Sequence, residues 1–166
     1  MLQNYIHKTA WFVGLVLLQV LILNNVHLWG CATPFLYIYL ILKFESETSR
    51  NTLMLWAFFL GLAVDIFSDT PGMNAAACVL LAFLRPLLLR LFLSRDLLDS
   101  LVPAFSTIGV SVFLKYALAC ILVHHASLLF IEYFSVAQWG MLLLRIVSST
   151  LLTLACVMAL EGIMKK

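Results

Sequence analysis

The sequence predicts an all-α integral membrane protein, a single six-transmembrane-helix bundle. Three observations predict it. Of 166 residues, 64% are hydrophobic and 11% charged, whereas a soluble domain carries about 25% charged residues. Apolar runs recur along the whole chain, and at about 20 residues per spanning helix with short connections the length holds about six. The basic residues also segregate to one side when the runs are counted as six. A water-soluble globule is thereby excluded. A net charge of +2 with scattered Lys and Arg leaves no basic footprint for nucleic acid.

Each element follows from local signals. The first span covers 8–23 and stops at the turn pair Asn24-Asn25. The second, 31–42, is short and starts near Pro34; at 1.5 Å per residue it reaches only ~18 Å. Residues 43–50 form a wet loop, the third span covers 51–67, and a tight turn follows at 68–72. The fourth span covers 73–89, its purely apolar part ending before Arg85-Pro86. Between 85 and 100, charged residues alternate with leucine pairs, the pattern of a segment lying along the membrane surface. The fifth span, 103–124, has Pro103 in its first turn, where proline is tolerated. Residues 126–134 are too short to span, and the sixth helix covers 138–163.

With the N-terminus in the cytoplasm, Lys8, Lys43, Arg50, Arg85, Arg90, Arg95, Lys165 and Lys166 all fall on the inner side, and the outer connections carry no Lys or Arg. That asymmetry places both termini in the cytoplasm under the positive-inside rule. Lys115 and Arg145 fall within spans.

Three ionisable residues therefore lie in apolar runs: Asp65, Lys115 and Arg145. A charge at such depth costs at least ~2.5–3.5 kcal/mol and should face protein, water or an opposite charge. Each extends into a stripe at helical spacing: Gly61, Asp65 and Asp69; Thr107, Ser111 and Lys115; Arg145, Ser149 and Thr153. Residues four apart share a helix face, so the three stripes are expected to meet in the outer half, with Asn74 adding amide groups. Such a cluster serves as a packing network, as a pocket for a ligand or partner segment, or as part of an ion route. The residues alone leave all three open.

Other chemistry is thin. His124-His125 are adjacent, which points them apart on a helix, and they read as an interfacial loop pair. Glu161 and Lys165 form an i,i+4 pair at a solvated helix end. Cys78, Cys120 and Cys156 sit in apolar runs as small apolar residues. No nucleotide, metal or nucleophile-elbow fingerprint occurs, so no cofactor, no metal and no enzymatic activity are expected.

The stretch G-L-A-V-D-I-F-S-D-T-P-G-M-N at 61–74 resembles the MreD family of bacterial rod shape-determining membrane proteins. The likeness lies in a helix ending G-L-x-x-D, a short glycine turn and a small-residue helix. The proline-led stretch at 33–39 is similar to that family's second span, and length and six-span plan agree. The resemblance implies a non-enzymatic scaffold of the cell-elongation complex in the inner membrane. It implies MreC as principal partner, with MreB, RodA and a penicillin-binding transpeptidase in the same assembly. It also implies a fold similar to the membrane substrate-binding subunits of energy-coupling-factor transporters. The alternative function is then the substrate-binding subunit of a vitamin-type transporter. On this reading Asp65, Asp69 and Asn74 line an outer surface for MreC. Arg85, Arg90 and Arg95 face anionic lipid or the MreB side.

Overall fold

In lipid, a backbone polar group has no water to turn to, so a spanning segment closes its hydrogen bonds internally as a helix. Five segments of the computed structural model do so, and they are long and apolar enough to cross a membrane. The structure describes residues 2–26, 32–93, 101–132 and 139–164. The elements are α1 (Leu2–Leu21), α2 (Tyr39–Leu42), α3 (Arg50–Ser68), α4 (Met73–Phe92), α5 (Phe105–Ile108), α6 (Val110–Glu132) and α7 (Trp139–Met164). Helices α3, α4, α6 and α7 pack in sequence order, each on the next, and α1 lies against α3.

The second segment departs from expectation. Residues 33–35 are not helical, Leu36–Ile38 form one 3₁₀ turn, and α2 adds four residues. No continuous helix spans 31–42; residues 27–31, including Cys31, lie outside the described residues. Every residue from 36 to 42 is buried. The segment nevertheless runs far through the bundle. Thr33 N–H donates to Ser149 Oγ on α7 (3.2 Å), while Lys43 Nζ reaches Glu161 on the same helix (3.1 Å). Those partners are twelve positions apart, about 18 Å of helix axis. Irregular backbone at membrane depth is tolerated only where protein surrounds it, and here it does.

Two further boundaries move. The surface segment expected from residue 85 does not begin there, because α4 continues through Pro86 to Phe92. A membrane helix accommodates such a proline because its neighbours re-satisfy the freed groups. The fifth span begins later and ends later than 103–124. A short α5 is broken off by Gly109 at φ 77°, and α6 then runs to Glu132, absorbing 126–132 of the stretch 126–134 that reads as too short to span. The third and sixth helices fall close to their expected bounds, whereas the first begins at Leu2, six residues before the expected start.

The α3–α4 turn fixes the rest of the hairpin. Asp69 closes α3 in the left-handed region (φ 54°), and Gly72 opens α4 at φ 80°. Two turns earlier, Gly61 faces the start of α4 so closely that a Cβ there would lie 2.5 Å from Ala75 Cα. Small residues let membrane helices approach in this way. Gly61→Ala should therefore overpack backbone against backbone and destabilise by about 1–3 kcal/mol. A lowered melting temperature of the detergent-purified protein, against an unchanged Gly14→Ala control whose Cβ meets open space, checks this.

Candidate functional site

The buried polar side chains have two jobs, and the first is to complete the hydrogen bonding of the broken segment. Gln19, fully buried on α1, donates to Pro34 O (2.9 Å) and accepts from Leu36 N–H (2.9 Å), much as a paired strand would. Thr153 Oγ1 accepts from Phe35 N–H (3.0 Å). At the other end Arg85, 1% exposed, donates from Nη2 to Leu42 O (3.2 Å) and to Phe44 O, and from Nε to Tyr116 Oη (2.9 Å). Tyr116 also donates to Leu42 O. Arg85 is thus not part of a basic surface. Its rigid planar fork serves two carbonyls and a phenol at once, which an ammonium does not match. Arg90 is exposed in the last turn of α4, and Arg95 lies outside the described residues.

The second job is to build a polar cavity where α1, α3, α6 and α7 end. Its organiser is Asp65. The carboxylate is buried and accepts from Thr70 Oγ1 (2.8 Å), Asn74 N–H (3.0 Å), Asn74 Nδ2 (2.9 Å) and Ala75 N–H (2.9 Å). The two backbone donors belong to the first turn of α4, whose N–H groups lack helical partners and whose dipole favours a negative charge. The expected acid–base pairing is therefore not what stabilises Asp65: helix-end donors do. Lys115 is exposed on the outer face of α6. It follows from the later start of α6 that Lys115 sits beside Tyr116, at the level of Arg85 and Leu42, near the opposite end of the bundle. The stripe Thr107, Ser111 and Lys115 faces outward throughout.

From Asp65 the network continues inward. Asn74 Oδ1 accepts from Tyr37 Oη (2.8 Å), and that hydroxyl is 2.9 Å from His124 Nε2. His125 bonds Thr153 Oγ1 (3.1 Å) and Ile121 O (2.9 Å). Both histidines are fully buried within α6, not in a loop, because α6 runs past them by two turns. Among the described residues no three metal-ligating side chains converge.

The cavity encloses about 390 Å³ above this network. Asn24, Thr70, Asn74, Glu132, Arg145 and Ser149 are among its polar lining residues. Arg145 is half-buried and acts electrostatically on Glu132. Of the predicted cluster, Asn74 and Arg145 line this cavity and Asp65 braces its rim. Asp69 is exposed in the turn and does not line it. Glu161 is not a solvated helix end: buried, it accepts from Lys43, Tyr39 and Phe105 N–H, and Lys165 lies outside the described residues.

Gln19, Tyr37 and Glu132 have no assignment from the sequence, and the two histidines read there as a loop pair. Gln19 alone carries a signal, as the polar side chain in the middle of the first apolar run. Comparison with family models, curated proteins and solved structures yields no match.

Two outcomes follow. Arg85→Lys should lose at least ~2 kcal/mol, since buried carbonyls left unserved cost ~1–3 kcal/mol each, read as a fall in melting temperature. Asp65→Asn should cost about 1–3 kcal/mol through the weakened cap. Adding Lys115→Met should give no rescue, and Lys115→Met alone should stay within ~0.5 kcal/mol of wild type. A double-mutant cycle in detergent measures all three.

Proposed function

We propose that this protein is a non-enzymatic membrane scaffold of the MreD type. In this reading it sits in the bacterial inner membrane, binds MreC and helps couple MreB filaments to RodA and its penicillin-binding transpeptidase. The observation that carries the reading is the polar cavity of about 390 Å³ on an otherwise apolar bundle. Its rim is built from the G-L-x-x-D stretch on which the resemblance to that family rests. Gly61 brings α3 onto α4, Asp65 caps α4, and Thr70 and Asn74 present polar groups to the opening.

Residues 33–43 supply a sixth crossing in this proposal, a return path enclosed by the five long helices. Both termini are then cytoplasmic, with Lys8, Lys43, Arg50 and Arg90 at the inner end. The cavity opens to the periplasm, where the extracytoplasmic part of a single-span partner such as MreC would meet it. Arg90, exposed in the last turn of α4, remains available to anionic lipid or to the MreB side, a juxtamembrane basic residue gaining about 1 kcal/mol there.

The cavity also favours one second reading, the substrate-binding subunit of a vitamin-type transporter with the six-helix plan of energy-coupling-factor systems. Asparagine amides beside the Glu132 and Arg145 side chains are the kind of convergent polar groups that orient a small ligand. Depletion and co-purification separate the two. The scaffold reading expects rod-shaped cells to round on depletion and the purified protein to co-elute with MreC. Asn25→Trp, at the cavity mouth, should then weaken co-elution at least tenfold without lowering the melting temperature. Normal cell shape, together with a melting temperature that rises with a vitamin's concentration, would favour the transporter reading instead.

A further inference from the structure

We infer that the seam between α1 and α7 is a binding site for one phospholipid with a zwitterionic, ammonium-bearing headgroup, of the phosphatidylethanolamine class. Its headgroup end lies away from the polar cavity: Val20 lines that cavity, while His7, Lys8 and Trp11 line this end, so nine positions of α1, about 14 Å, separate Trp11 from Val20.

The site has two adjoining parts. An apolar groove of about 390 Å³ runs along α1 past Ala10, Gly14, Leu15 and Leu18, with Leu160 of α7 opposite. From Ala10 to Leu18 the groove covers about 12 Å of helix, most of the ~15 Å depth of one hydrocarbon leaflet. Nothing lies within 4 Å of a Cβ built on Gly14, so the groove floor is open where a chain would lie. Helix α1 is also the least enclosed of the five: 17% of its spanning window is buried, against 28–44% in the others.

His7 and Trp11 line both this groove and a second cavity of about 160 Å³. Its lining carries Lys8, Lys43 and Glu45. Each ammonium is seated over an aromatic ring, Lys8 on Phe44 (5.0 Å) and Lys43 on Tyr39 (5.8 Å). Lys8 pairs with Glu45 at 3.4 Å and Lys43 with Glu161 at 3.1 Å. An apolar trough leading to paired ammonium and carboxylate groups has the layout of a glycerophospholipid, chain below and headgroup above.

Charge decides the headgroup. Among the described residues the charges here are held as two ion pairs, Lys8–Glu45 in the lining and Lys43–Glu161 behind it, so a headgroup with net negative charge would leave an excess anion. A zwitterion balances. Its phosphodiester accepts from Lys8 and Lys43, and its ammonium donates to the Glu45 carboxylate, the most exposed of the four groups at 39%. A trimethylated ammonium has no N–H to donate, which separates ethanolamine from choline lipids.

The test is native mass spectrometry of the full chain, delipidated in detergent and then offered equal amounts of palmitoyl-oleoyl phosphatidylethanolamine, phosphatidylglycerol and phosphatidylcholine. The ethanolamine lipid should be retained as one adduct, at least tenfold over either competitor. Lys8→Gln should cut retention at least fivefold. Gly14→Leu, which fills open space and suits a helix, should abolish it at an unchanged melting temperature. Equal or better retention of phosphatidylglycerol or phosphatidylcholine overturns the assignment, as does full retention by Gly14→Leu. A polypeptide occupying the seam of the purified protein in place of lipid overturns it too.

Discussion

The constraint on which this structure depends is the need to satisfy a stretch of irregular backbone buried where no water reaches. Residues 33–44 run through the bundle with only two short helical turns. Their free N–H and C=O groups are met from the surrounding long helices by Gln19, Arg85, Tyr116, Ser149 and Thr153. An unmet backbone group in such a place costs several kcal/mol. These side chains therefore act as substitute backbone, and their burial needs no functional explanation. This is why an arginine lies buried within an apolar bundle: its guanidinium takes the place of the partners that a continuous helix would have supplied.

Once those residues are assigned to the framework, the remaining polar groups stand out more clearly. Asn24, Glu132 and Arg145 gather at one end, and Asp65 with Asn74 shapes the opening beside them. At that end the polar residues exceed what the backbone needs. The Tyr37–His124 pair connects this end to the core through Asn74. A change at the opening therefore bears directly on side chains that hold the central segment. Packing and recognition share atoms here, so the cavity is shaped by the same contacts that keep α3, α4 and α6 together.

Much of this was legible in the sequence, and the failures have physical causes. The long helices read well because an apolar run of 20 residues has few other fates. Asp65 and Asn74 read as neighbours because a five-residue turn joins their helices. Partner identity did not read, because spacing shows which residues share a face and not where that face points. Lys115 matches its stripe but looks outward, and Asp65 finds α4 N–H groups closer than any cation. Arg85-Pro86 resembles a helix end, yet the helix carries through, since tertiary contacts at Arg85 outweigh the local break. His124-His125 look like loop residues only if α6 stops where its hydropathy first dips. The second span was the hardest case. Its shortness was visible, but the helices that enclose it come from both ends of the chain.

That last point bears on how the molecule is made. Thr33 and Phe35 rely on hydroxyls 116 and 118 residues further along. A chain emerging from the ribosome must place α1, α3, α4 and α6 in the bilayer before α7 exists to meet them. Until then the middle of the second segment lies in an unfinished bundle with bare amides, a state that quality-control proteases are equipped to recognise. Helix insertion and completion of the fold are thus separate events, and the arrival of α7 determines when the first half of the protein becomes stable.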